Sequence, residues 1–417
     1  MKIAHFSDLH FCDPYLAEVR RCFHHAVSRA CNEQCGIGVI TGDLFDRRLD
    51  VHSPAVSALL AEVYDLASYM PVIILQGTFS HDVPGSLDVF RTLTPLYPVW
   101  VADRISQVVL IEDANDGLEW IASHATTFTK HELDDLDGAI LALFSCLPAI
   151  HKGALAATVG ADEAAEAAGD AVHQMLRAFA PANEIMRSGR PSIPPTVLLS
   201  HGTVVGSVTE QGVPMHGLDH EFTEATLFAS EAAAVMLGHI HKHQSWSRDG
   251  MVGAYPGSIG RLHFGEVDPK GWLRWEFSHD GQVATLALCE TPAKRLVEHT
   301  FEGPPDMEIV KRIAAEAKDA HVRLRWSVDE EHAHSVDRAA IEELFEAAAE
   351  LKCEPRVLPI QRQRAAGITQ ATGMHERLDR WIEVTDSRHH EAELMQRLAL
   401  LQSETPVEKL VALEHLE

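Results

Sequence analysis

The sequence predicts an α/β protein built on a parallel sheet, with a small α+β segment and a helical tail behind it. Three observations predict this. Up to about residue 100, short apolar runs alternate with longer amphipathic stretches. Several of the apolar runs, early and late, end on polar residues of one kind, aspartate and histidine. After about residue 290 a strand–helix–strand–helix–strand order starts afresh.

The elements follow in order. KIAHFS is the first strand, a helical stretch runs through Cys35, and IGVIT is the second strand. The amphipathic SPAVSALLAEVYDLASYM then leads to PVIILQG, whose proline suits a strand start. Such a βαβαβ order carries parallel strands with right-handed crossovers. From about 98 to 147 come VVLIE, EWIAS and ILALFS, strands of a mixed or second sheet. Residues 153–188 are alanine- and acid-rich with helical spacing, and SGRPSIPP closes them before TVLLS. Short strands between Gly and Pro turns fill 232–289. RLVEHTF, a helix over 306–319, HVRLRWSV, a helix over 336–351 and EPRVLPI make the α+β segment. Three domains are expected: 1–290, 291–372 and 373–417.

Composition bounds the class. With 417 residues, nearly half of them hydrophobic, the chain buries more than one core. No apolar run reaches bilayer length, and MKIAHFSDLHF lacks a signal-peptide pattern, so a cytoplasmic protein without membrane contact is expected. The seven cysteines form no CxxC pair and read as reduced thiols; Cys31 and Cys35, one helical turn apart, read as core. A net charge of −26 argues against tight, non-specific nucleic-acid binding by the whole surface. A local site neutralised by metal ions is compatible with it.

Five polar signatures each follow an apolar strand: Asp8-Leu9-His10, Gly42-Asp43, Gly77 through Asp82, His201-Gly202, and Gly238-His239-Ile240-His241. In open α/β sheets, ligands bind beyond the carboxyl ends of the strands. Residues two apart in an extended segment point the same way, so Asp8 with His10, and His239 with His241, converge. Mixed imidazole and carboxylate ligands suit manganese, iron or zinc. A lone HxH is weak evidence among 26 histidines; His332 and His334 form one with no strand leading into it. Five signatures at five strand ends are strong evidence for a metal site.

The order DxH, GD, HD, H, GHxH resembles the calcineurin-like metallophosphoesterase superfamily. Within it, SDLHF, GDLFD and YPGSIGRLHFGEVDPKGWLRWEF (255–277) are most similar to SbcD-type DNA repair exonucleases. The resemblance implies a four-layer αββα sandwich of two mixed sheets, with an α+β capping domain and a helical tail. It implies two divalent ions, most plausibly manganese, sharing Asp43. Asp8, His10, Asp43 and His241 would hold one; Asp43, His201, His239 and position 80 the other. The implied reaction is phosphodiester hydrolysis of DNA by a metal-bound hydroxide, exonucleolytic with single-strand endonuclease activity possible. His81 would protonate the leaving 3′-oxygen or stabilise charge developing on the phosphate, and Asp46 would pair with His81. Arg47 and Arg48 are candidate phosphate contacts. The partners implied are DNA and an SbcC-type coiled-coil ATPase, docked on apolar tail positions Leu378, Trp381, Ile382, Leu394, Leu398 and Leu401. A homodimer through the early helices stays open, and the basic RVLPIQRQR (356–364) is a weak candidate for the DNA backbone.

The family places asparagine before the histidine, whereas GTFSHD has Ser80, with two extra residues after the glycine. Ser80 is expected to stand in for that ligand, its hydroxyl being shorter and weaker than an amide oxygen; a water in the gap, or a weak second site, are the open alternatives. Small or protein phosphoesters as substrates, and a catalytically weak scaffold, are the alternative readings.

Overall fold

The computed structural model describes residues 1–48, 50, 52–150, 164–188, 193–214, 221–359 and 367–403. Parts of three expected stretches lie outside these residues: the start of the alanine-rich helix, the middle of SGRPSIPP and the end of RVLPIQRQR.

The strands, in chain order, are β1 Lys2–Phe6, β2 Ile37–Ile40, β3 Val72–Leu75, β4 Val99–Ala102, β5 Ser106–Glu112 and β6 Leu118–Ala122. There follow β7 Ala139–Leu147, β8 Thr196–His201, the short pair β9 Thr203–Val204 and β10 Glu221–Phe222, and β11 Ala234–Gly238. The last of the large sheets' strands are β12 Gln244–Arg248, β13 Met251–Tyr255, β14 Gly271–Phe277 and β15 Val283–Glu290. They form two mixed sheets. One has the order β15-β14-β1-β2-β3-β4, with β1 to β4 parallel and β14 antiparallel to β1. The other has the order β12-β13-β11-β8-β7-β5-β6, parallel at its centre and antiparallel at both edges.

Alternation along each strand builds the layers. Ile3, Val39, Ile73 and Leu75 of the first sheet pack on Val197, Leu199 and Met236 of the second. The neighbours Phe6, Ile40 and Ile74 face outward onto Phe23, Leu59 and Val63 of helices Leu16–Asn32 and Pro54–Ala67. On the far side Leu198, Val235 and Leu237 meet Val172, Leu176 and Phe179 of helix Ala164–Arg187. The architecture is the expected four-layer αββα sandwich. Strands buried on both faces need near-continuous apolar sequence, which VIIL and AVML supply.

The chain divides into two compact units: residues 1–298, 316–323 and 347–352, and residues 299–315, 324–346 and 353–417. A three-stranded sheet of β16 Leu296–Phe301, β17 His321–Asp329 and β18 Glu350–Leu358 follows the large sheets, with helices Met307–Glu316 and Arg338–Leu344. Val322, Leu324, Trp326 and Val328 alternate inward along β17. The helix expected over 336–351 ends at Leu344 because Ala349 N–H donates to Ala320 O at 2.9 Å. Strand pairing there overrides the helix propensity of EAAAE. Helices Met374–Val384 and Glu391–Leu401 bury Ile382 and Leu398 but leave Trp381 42% and Leu401 72% exposed. No helix among the described residues is long and apolar enough to cross a membrane.

Candidate metal centre

The loops beyond β1, β2, β3, β8 and β11 meet at one rim. Asp8, His10 and His241 each offer a ligand atom within 4.8 Å of the others, and so do Asp43, His201 and His239. His10, Asp46 and His81 form a third grouping. All of the aspartates and histidines expected to bind metal are therefore brought together.

Delivering them strains the backbone. Asp8, His10, Asp43 and His239 have φ of 50°, 48°, 53° and 109°, a region that non-glycine residues seldom adopt. Hydrogen bonds hold the first two: Asp8 N–H donates to Gly42 O at 3.2 Å and His10 N–H to Asp43 O at 3.0 Å. Gly77 and Gly238 are there for close approach. A Cβ at Gly77 would collide with Asp43, and one at Gly238 with Thr41, Ser7 and His201.

Asp82, next to His81, is the clamp of this rim. Its carboxylate accepts the N–H of Leu44 at 3.0 Å, Phe45 at 3.4 Å and Gly77 at 3.0 Å, tying the loop after β2 to the loop after β3. Burial and the nearby Asp43 carboxylate push its pKa up to about 7, against those donors.

Three imidazoles have their orientation set by an acceptor on Nδ1. His201 Nδ1–H donates to Thr41 O at 2.7 Å, His241 Nδ1–H to Glu266 Oε1 at 3.0 Å, and His81 Nδ1–H to the backbone carbonyl of Asp46. Carbonyls and carboxylates only accept, so each Nε2 is left to face the rim. His201 Nε2 lies 3.2 Å from Asp43 Oδ2, and His81 Nε2 4.0 Å from the same oxygen.

The donor set fits cations. His241 Nε2 presents its lone pair to His10 Nε2 only 2.9 Å away, with Asp8 Oδ1 3.9 Å from each. Two imidazole nitrogens and a carboxylate gathered this closely are a donor set that a divalent cation accepts. Burial, and then His241, hold His10 well below its usual pKa, so it is neutral and able to ligate. Burial and the adjacent His201 likewise lower His239 to about 4. Burial opposes charge on His201 too, but Asp43 outweighs it and holds the pKa at about 10. His201 in turn keeps Asp43 ionised despite burial, well below the usual carboxylate range.

Two placements differ from expectation. Ser80 is exposed, and it is Thr78 that lies against the second cluster: Thr78 N–H donates to Asp43 Oδ1 at 2.7 Å, and Thr78 Oγ1 lies 3.2 Å from His201 Nε2. Counted from Gly77 rather than from His81, Thr78 is the residue that follows the glycine, and the two extra residues come after it. Asp46 meets His81 through its backbone carbonyl, while its carboxylate lies 3.8 Å from His10 Nδ1 and 3.4 Å from Arg47. Arg47 and Arg48 are exposed and border a cavity beside His81.

Sequence reasoning missed Glu266 and Lys270, although both lie in the segment 255–277. Glu266 is fully buried, and Lys270, also buried, donates to His241 O at 2.8 Å. The Phe-Gly-Glu of that segment was the available signal.

The model of the calcineurin-like phosphoesterase family matches residues 1–243. The chain belongs to the calcineurin-like phosphoesterase family. As a member it is a metal-dependent phosphoester hydrolase, and the two Asp–His clusters are its candidate ligands for a dinuclear centre. No curated protein sequence matches the chain. Among solved structures it is similar to GAP50, the anchor in the inner membrane complex of Plasmodium, with 12% identity, 84% of this chain and 96% of that chain covered, and a TM-score of 0.39. It is also similar to a dimetal phosphatase from Danio rerio, with 12% identity, 66% and 92% covered, and a TM-score of 0.39. A predicted phosphoesterase from Streptococcus pneumoniae has 12% identity, 69% and 97% covered, and a TM-score of 0.24. Likenesses this loose bring no substrate or partner to this phosphoesterase.

Proposed function

We propose that this phosphoesterase hydrolyses DNA phosphodiesters at strand ends, with two manganese ions and an SbcC-type coiled-coil ATPase as partner. The observation that carries the reading is the adjacency of two Asp–His clusters to a half-buried histidine whose Nε2 faces them. The resemblance of the 255–277 segment to SbcD-type exonucleases supports DNA as the substrate, and the Glu266 within it orients the candidate ligand His241. The exposed Trp381 and Leu401 support a docking role for the tail.

Asp8, His10 and His241 would hold one ion, and Asp43, His201 and His239 the other, with Thr78 beside the second. Bound divalent ions supply Lewis-acid charge and lower the pKa of water. The chain's residues do the rest. Thr41, Glu266 and the Asp46 carbonyl fix three imidazole orientations. With Nδ1–H of His81 committed to the Asp46 carbonyl, Nε2 is the atom that faces the rim and acts on the departing 3′-oxygen. Arg47 and Arg48 meet the strand's phosphates.

The test is end-labelled linear duplex DNA with manganese, beside His81→Ala prepared in parallel. Mononucleotide release lost in the variant is the expected result. An inert protein that still hydrolyses a small phosphodiester would overturn DNA as the substrate.

A further inference from the structure

The loops that carry Asp43 and His81 also border a cavity of about 320 Å³ that none of the six Asp and His residues of the two main clusters lines. Its walls are apolar: Phe45 and Val56 are buried, and Val83 and Val89 complete them. His81 lines it, so the space adjoins the residue that would act on the reacting bond. The clamp by Asp82 holds the two loops in register, which gives the cavity fixed walls.

Its polar features are few: two arginines, one serine and His81. Arg47 and Arg48 border it. Arg47 is engaged by Asp46 at 3.4 Å, whereas among the described residues Arg48 has no carboxylate partner within 4 Å. Arg48 is exposed and so is an accessible cation at the edge of the cavity, of the charge a nucleotide phosphate needs. Ser86 Oγ is buried at the same cavity and has no hydrogen-bond partner among the described residues. A ligand in the cavity could complete that hydroxyl. The volume matches the lower end of small-molecule sites, about 300 Å³ and upward, which suits one nucleoside and excludes a duplex.

We propose that this cavity is the subsite for the nucleoside whose oxygen departs, with the base between Val83, Val89 and Phe45 and the 5′-phosphate on Arg48. The inference rests on the phosphodiesterase reading above and gives it a leaving-group preference. The 3′-oxygen of a nucleoside held in this way lies at His81, the residue placed to protonate it. An apolar wall takes the base of a single strand, so a duplex end must fray before its nucleotide enters.

The experiment uses the full chain freed of metal with EDTA, so that no hydrolysis intervenes. Thymidine 5′-monophosphate and inorganic phosphate are titrated separately by calorimetry. The nucleotide is expected to bind at least tenfold tighter than phosphate. Val83→Trp, which fills the cavity, removes that margin, and Arg48→Ala, at an exposed position, weakens nucleotide binding at least threefold; circular dichroism verifies both folds. Equal affinities for nucleotide and phosphate, or a margin that both variants retain, overturn the subsite. Manganese-dependent hydrolysis of bis(p-nitrophenyl) phosphate is measured in parallel. Hydrolysis without a nucleotide margin sinks the subsite alone, and no hydrolysis at saturating manganese sinks the reading beneath it.

Discussion

Thr78 reaches both members of one ligand cluster: its N–H donates to Asp43 Oδ1 at 2.7 Å, and its Oγ1 lies 3.2 Å from His201 Nε2. A hydroxyl there orients the ligands or joins them, and Ser80 is exposed outside the cluster. Thr78→Val keeps the shape and the backbone donor but removes the oxygen. It is expected to weaken binding of one of two manganese ions by about 10–100-fold, the usual effect of losing a supporting partner. Ser80→Ala leaves both affinities unchanged. Calorimetric manganese titration of the two variants checks this, and the reverse ranking would restore Ser80 as the ligand.

His81 takes its orientation from a backbone carbonyl, which no side-chain substitution at Asp46 removes. Asp46→Asn is therefore expected to shift the pH–rate profile by less than about half a unit, the scale of one partly solvated charge. His81→Ala is expected to lower kcat by about 10²–10⁴ while manganese binding persists. A large profile shift in Asp46→Asn would show that the carboxylate governs His81 after all.

Glu266 is the buried acceptor that turns Nε2 of His241 toward Asp8 and His10. Glu266→Gln can present an amide nitrogen to His241 in place of an acceptor, and manganese affinity is expected to drop by about 10–100-fold. Electron paramagnetic resonance of bound manganese reports the altered ligation directly. A wild-type spectrum and affinity would reduce Glu266 to a packing role.

Metal binding and proton binding compete at His201. In the metal-free protein Asp43 overcomes burial and holds that imidazole at about 10, above its unfolded value. Its stabilisation is thus complete below the unfolded pKa of about 6.5 and is lost as pH rises toward 10. Manganese needs the neutral ring, so its affinity is expected to rise by up to about tenfold per pH unit across that window. Thermal unfolding in EDTA and in manganese, between about pH 6.5 and pH 8.5, measures the difference. A manganese-induced rise in Tm that does not grow with pH contradicts this.

The sheets and the six Asp and His candidate ligands were legible because each depends on a local pattern: an apolar strand, then a short polar turn. What was not legible depends on distant partners. Nothing in the sequence couples Glu266 to His241, which is 25 residues away. The extra residues in GTFSHD can be counted from either end, and only the fold places Thr78 against Asp43. Asp82 reads locally as a turn residue, yet it clamps Leu44, 38 residues earlier in the chain. The helix expected over 336–351 failed because its last residues pair with a strand instead.

The central claim is that two Asp–His clusters and His81 form one phosphodiesterase site. Hydrolysis of bis(p-nitrophenyl) phosphate by the full chain, followed as manganese is added to metal-free protein, tests it most directly. The account predicts turnover that appears with manganese, saturates near two ions per chain, and falls at least about 10²-fold in His81→Ala. Turnover indifferent to manganese, or no turnover at saturating manganese, would contradict it.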